Sequence, residues 1–167
     1  MYQLYQWLVF THVLGVFGFL LAHGASAAIA FRLRGEREVA PVRALLDLSR
    51  SAAIVANASL LALLAAGIAA GFMGGWWSRG WIWVALGLLI LISFAMTGVG
   101  SRPLTRVRRL LDGTEFRGEK GDPKTSATIP TDQQLAAALS TIKPWLLTAI
   151  GGGGLALILW LMMFKPF

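Results

Sequence analysis

The stretch LYQWLVFTHVLGVFGFLLAHGASAAIAF, residues 4–31, decides the architecture. It holds no Lys, Arg, Asp or Glu, and it is longer than the ~20 apolar residues a helix needs to cross a bilayer. It also holds both histidines of the chain, His12 and His23. At ~100° per residue, eleven positions amount to three turns plus about 20°, so both rings leave one helix face, roughly 16 Å apart along the axis. An ionisable side chain at membrane depth is costly and is by default a candidate functional residue.

Three further apolar runs follow, at about 51–72, 81–100 and 144–164. The chain is 56% hydrophobic over 167 residues, with a mean hydropathy of +0.66. Such a composition marks a membrane protein. The expected fold is all-α, a four-helix transmembrane bundle in a single domain, with a cytoplasmic loop over about 101–143. Ala25-Ser26-Ala27 resembles a signal-peptide cleavage site, but the apolar run is too long and lacks a basic start, so it is read as a retained helix.

Basic residues set the expected orientation. Thirteen of the fifteen Lys and Arg fall between spans one and two or between spans three and four; only Arg79 and Lys165 do not. Those two segments are therefore expected on the cytoplasmic side, with both termini outside, in a multi-pass protein of a bacterial plasma membrane. Trp7, Trp76, Trp77, Trp81, Trp83 and Trp160 fall at the opposite interface as an aromatic belt. The net charge of +7 is explained by this topology, without a nucleic-acid partner.

The connections carry their own signals. RLRGEREVAPVRALLDLSR extends span one and starts span two early, with Val42, Leu45, Leu46 and Ser49 on one face. The short link MGGWWSRG makes spans two and three an antiparallel pair of neighbours. SRPLTRVRRLLD places Leu104, Val107, Leu110 and Leu111 on one face. Two readings stand: a basic amphipathic turn whose Arg102, Arg106, Arg108 and Arg109 meet anionic lipid headgroups, or charge that only sets topology. GTEFRGEKGDPKTSATIPTD reads as a flexible loop. Thr131 and Gln134 have capping-box spacing, ahead of a helix from about 132 that runs into span four with a kink at Pro144. Gly67 and Gly71 have the GxxxG spacing of close helix packing. The run Gly151 to Gly154 calls for compensation by close packing, a bend, or a flat cofactor against Gly151 and Gly152.

Few chemistries fit. Without cysteine there is no disulfide, thiolate metal site or cysteine nucleophile. No acid lies within a span, which argues against a proton-driven transporter and against a Ser–His–acid hydrolase. HExxH is absent. Haem b remains, with His12 and His23 as axial or metal ligands inside a helical bundle. The two histidines cannot clamp one iron, being roughly 16 Å apart. A second ligand would come from a two-fold homodimer or from Met96, at the depth of His23; alternatively the iron is five-coordinate. The plainer reading is that each histidine hydrogen-bonds a neighbouring helix, and Asn57 is the partner at the depth of His23. Met162 and Met163 are expected to pack.

Two histidines on one face, one per leaflet, give the chain a distant similarity to di-haem cytochromes b, though those proteins supply a second histidine per haem. The pattern LYQWLVFTHVLGVFGFLLAHGAS, an arginine-rich turn and GFMGGWWSRGWIW together resemble a bacterial family of four-helix integral membrane proteins of unknown function. That resemblance covers nearly the whole chain and implies four spans in a plasma membrane. The histidine of span one distantly resembles copper-resistance membrane proteins of the D type. The expected function is a b-type haem-binding or electron-transfer protein or subunit, an oxidoreductase if an enzyme. The alternatives are a non-catalytic scaffold in a larger complex and a metal or small-molecule permease using Met73, Met162 and Met163.

Overall fold

The computed structural model describes residues 2–112 and 131–167. The long polar loop expected at 113–130 lies outside the described residues. Among the described residues six α-helices follow one another: α1 (Tyr2–Gly35), α2 (Val39–Gly74), α3 (Gly80–Met96), α4 (Arg102–Leu111), α5 (Asp132–Ser140) and α6 (Pro144–Phe164). A π-helical turn, Thr97–Ser101, joins α3 to α4 without a break. Four helical stretches among the described residues are long and apolar enough to cross a membrane: Tyr2–Gly35, Val39–Gly74, Gly80–Leu111 and Asp132–Phe164. No strand occurs among the described residues.

Local sequence explains the breaks. Gly75 ends α2 in the left-handed conformation at φ 65°, its N–H meeting the Gly71 and Phe72 carbonyls. The π turn precedes Pro103, which has no N–H and crowds the carbonyl four residues back, so the helix widens there. Thr131 and Gln134 form the expected capping box: Gln134 N–H donates to Thr131 Oγ1 at 3.3 Å, and Thr131 N–H to Gln134 Oε1 at 3.1 Å. The expected kinked helix through Pro144 is instead two helices. Lys143 leaves the helical region ahead of the proline, at φ −113° and ψ 78°, and α6 starts anew with Pro144 in its first turn. Between α1 and α2, Glu36 Oε1 accepts the N–H of Arg37 at 2.9 Å and of Glu38 at 3.3 Å, which holds its carboxyl below the usual carboxylate range.

The helices form an up-and-down bundle opened along one seam. α1 packs on α2 and α6, and α6 packs on α3. The backbones of α2 and α3 nowhere come within 8 Å, Cα to Cα, despite their short link. The sequence reading of these two as packed neighbours is thus corrected. Bulky aromatics hold the link apart: Trp77 lies over Gly71 and against Phe72 and Trp83, and Trp76 against Trp81.

Both chain ends and the α2–α3 link share one end of the bundle. Trp81 N–H donates to the Phe167 carbonyl at 3.3 Å, Lys165 Nζ stands 4.2 Å from the Trp76 ring centre, and Trp76 Nε1 donates to Tyr5 at 3.4 Å. The opposite, basic end holds the main core. Ile29 and Leu33 of α1, Val42 and Leu46 of α2, Val107 and Leu111 of α4, and Leu135, Leu139 and Ile142 around α5 pack into it. The apolar stripe of α4 is therefore turned into protein, with Val107 fully buried.

Candidate functional site

Each histidine of α1 meets a glycine on a different helix. His12 Nδ1 donates its proton to the Leu63 carbonyl of α2 at 2.7 Å; a carbonyl only accepts, so Nδ1 carries the hydrogen. The ring occupies the space left by Gly67, where a Cβ would come within 2.8 Å of Nδ1. The GxxxG pair thus receives side chains rather than a second backbone: Gly67 takes this imidazole and Gly71 takes Trp77. His23 faces α6. The Cε1–Nε2 edge of its ring rests on Gly151, with no room for even a methyl group, and Nε2 is buried without a hydrogen-bond partner. The shared face predicted for the two histidines therefore does not mean a shared neighbour.

Two cavities lie behind these contacts, one toward each end of the bundle. The first, about 290 Å³, is almost wholly apolar and has His12, Gly67, Trp77, Gly152 and Met162 in its wall. The second, about 380 Å³, lies toward the basic end and is partly polar. His23, Asn57, Met96 and Gly151 all line it. Four of the six residues expected to form a site thus share one cavity, while His12 and Gly152 line the other. Phe19, Leu60, Leu89 and Leu155 belong to both walls, so the cavities adjoin. Both draw walls from α1, α2, α3 and α6, which places them along the seam where α2 and α3 stand apart.

The Gly151–Gly154 run divides by neighbour. Gly151 is pressed by His23 and Gly154 by Ile92 of α3, whereas Gly152 and Gly153 face open space. The helix continues through all four. Asn57 shares the cavity with His23 but does not bond it, since Nε2 has no partner.

Residues that the sequence reading did not assign to the site complete the polar cavity. Arg108 of α4 is the main one. Its Nη2 donates to the Leu46 carbonyl and, at 3.4 Å, to Ser49 Oγ, while its Nε–H is buried without an acceptor. Ser49 is only 7% exposed. Arg50, Thr97, Ser101 and Thr105 line the same cavity. The sequence held a signal for Arg108: Leu104, Val107, Arg108 and Leu111 have the i, i+3, i+4, i+7 spacing of a buried stripe, and Arg108 is the charged member. No Asp or Glu lines either cavity, and no group of three or more His, Cys, Asp or Glu clusters among the described residues.

A haem iron needs an imidazole nitrogen facing open space. His12 suits that chemistry in one respect: its Nδ1–H is anchored on a carbonyl, the arrangement that orients metal-bound histidines through the other nitrogen. His23 does not suit it as placed, because the Nε2 edge is closed by the α6 backbone. Comparison with family models, with curated proteins and with solved structures returned no match.

Proposed function

We propose that the protein is a membrane-embedded binding protein that holds an elongated, mainly apolar molecule in the two adjoining cavities, entered from the bilayer between α2 and α3. One observation carries this reading. The cavities follow each other along the seam between two sequence-adjacent helices that do not pack, and they share a wall of four apolar side chains. A membrane bundle without a ligand gains most by closing such a seam, because helix association in lipid rests on van der Waals packing. Pockets of this size, apolar with a few polar groups at one end, suit small molecules. The reading is of a carrier or a receptor subunit in a plasma membrane, with the basic end cytoplasmic and both termini outside. Arg102, Arg106 and Arg109 lie at the headgroup level of that leaflet and attract anionic lipid.

The test is to purify the protein under mild detergent, extract it with organic solvent and identify retained molecules by mass spectrometry. A single molecular class near one per chain is expected. Leu155→Trp, which fills the junction of the cavities, should abolish retention while the helical circular dichroism stays unchanged. Equal retention by the filled variant would overturn the reading.

Haem b is the second reading, favoured by the carbonyl-anchored Nδ1 of His12 and by Met162 in the same cavity wall. Haem would supply one-electron chemistry there. His12 would ligate through Nε2, and the apolar wall would exclude water. The same purified sample decides it. A Soret absorption lost in His12→Ala and kept in His23→Ala supports haem at His12; a colourless protein removes it.

A further inference from the structure

The polar cavity ends on a cation, Arg108, with no carboxylate among the described residues of its wall. Arg108 reaches it from the apolar stripe of α4, and two of its donors are used on α2, at the Leu46 carbonyl and Ser49 Oγ. Its Nε–H is buried with no acceptor among the described residues. A guanidinium does not lose its proton, so this buried donor and its charge persist whatever the surroundings. Arg50 stands in the same wall, and no carboxylate does. Asp112, the acid closing α4, is 3.9 Å from Arg43 and is not part of the wall. Thr97 and Thr105 donate their hydroxyl hydrogens to the Ser93 and Ser101 carbonyls, at 2.9 Å each, so they offer the cavity lone pairs rather than donors. The donors left in this wall include Arg108 Nε, the Arg50 guanidinium and the Asn57 amide. Such a set accepts an anion through charge-assisted hydrogen bonds.

We infer that the molecule held by the bundle is an anionic amphiphile drawn from the bilayer. Its phosphate or carboxylate head sits on Arg108 and Arg50, and its chain runs past Phe19, Leu60, Leu89 and Leu155 into the apolar cavity beside His12. The inference rests on the binding role proposed above and adds the chemistry of the ligand. The polarity gradient carries it: cationic donors at the basic end, and an almost purely apolar chamber beyond a shared apolar neck. An ion alone would leave that chamber unused, and a neutral lipid would leave the guanidinium unpaired.

The experiment is native mass spectrometry of the full chain released from detergent, titrated with dioleoyl phosphatidate, dioleoyl phosphatidylcholine or inorganic phosphate. A saturable one-to-one phosphatidate adduct is expected, with phosphatidylcholine bound at least about tenfold more weakly, since only the former presents an unshielded anion. Arg108→Gln should lose that preference, and Arg108→Lys should retain part of it. Arg50→Gln, at an exposed side chain with no hydrogen bond or ion pair to another helix among the described residues, should weaken it separately and keeps the test decisive if Arg108→Gln fails to fold. Leu155→Trp should abolish the phosphatidate adduct. Equal binding of the two lipids, or arginine variants indistinguishable from the parent, overturns the inference even if an apolar molecule is still retained. Phosphate displacing phosphatidate at equal concentration overturns it in favour of a simple ion site. Loss of all retained molecules from the parent protein overturns the binding role itself.

Discussion

His12 with Gly67, and His23 with Gly151, each behave as one packing unit built from a ring and a missing side chain. The imidazole at position 12 satisfies its own polarity on a helix carbonyl, a bond of ~0.6 kcal/mol on average inside membranes. Its fit depends more on the space that Gly67 leaves. Gly67→Ala is therefore expected to cost about 1–3 kcal/mol through overpacking, and most of that should vanish in a His12→Ala background. Unfolding equilibria of the four proteins in mixed micelles measure the coupling; additive costs would show that ring and glycine do not share the site. Gly153, by contrast, faces open space, so Gly153→Ala should be neutral or stabilise α6 by up to about 1 kcal/mol.

At the scale of elements, the ends of helices do as much as their apolar faces. The π turn at Thr97–Ser101 lines the polar cavity through Thr97, Gly100 and Ser101 while α4 carries Arg108 back toward α2. The cap of α5 has a different task. By starting that helix at Thr131 it presents Leu135, Ala138 and Leu139 to the core shared with α1 and α4. Thr131→Ala should cost about 1 kcal/mol, and amide exchange should accelerate first in the opening turn of α5. Exchange unchanged at residues 132–135 would mean that packing alone holds the helix start.

For the whole molecule, the open seam between α2 and α3 is the decisive property, and the absence of native cysteine makes it directly measurable. Gly18→Cys paired with Ser59→Cys should oxidise to a disulfide between α1 and α2, because a Cβ at position 18 lies 3.3 Å from that of Ser59. Leu60→Cys paired with Leu89→Cys should stay reduced under the same oxidant, since α2 and α3 keep more than 8 Å between Cα atoms. Ready bridging of the second pair would show a closed bundle and remove the cavity on which the functional reading stands.

By itself the sequence determined the four long apolar helices, the capping box at Thr131 and the two histidines inside the first apolar run. These follow from run length, capping chemistry and helical period, all local properties of the chain. It also suggested that Asn57 and Met96 lie at the depth of His23, and these three share a cavity wall, which also holds Gly151. Only the tertiary structure decided that His12 turns to α2 and His23 to α6, that α2 and α3 stand apart, and that Arg108 closes a cavity instead of lying free on a basic face. The physical reason is that rotation about a helix axis is set by packing against neighbours. In a chain whose spans are apolar all round, composition alone does not say which face meets which.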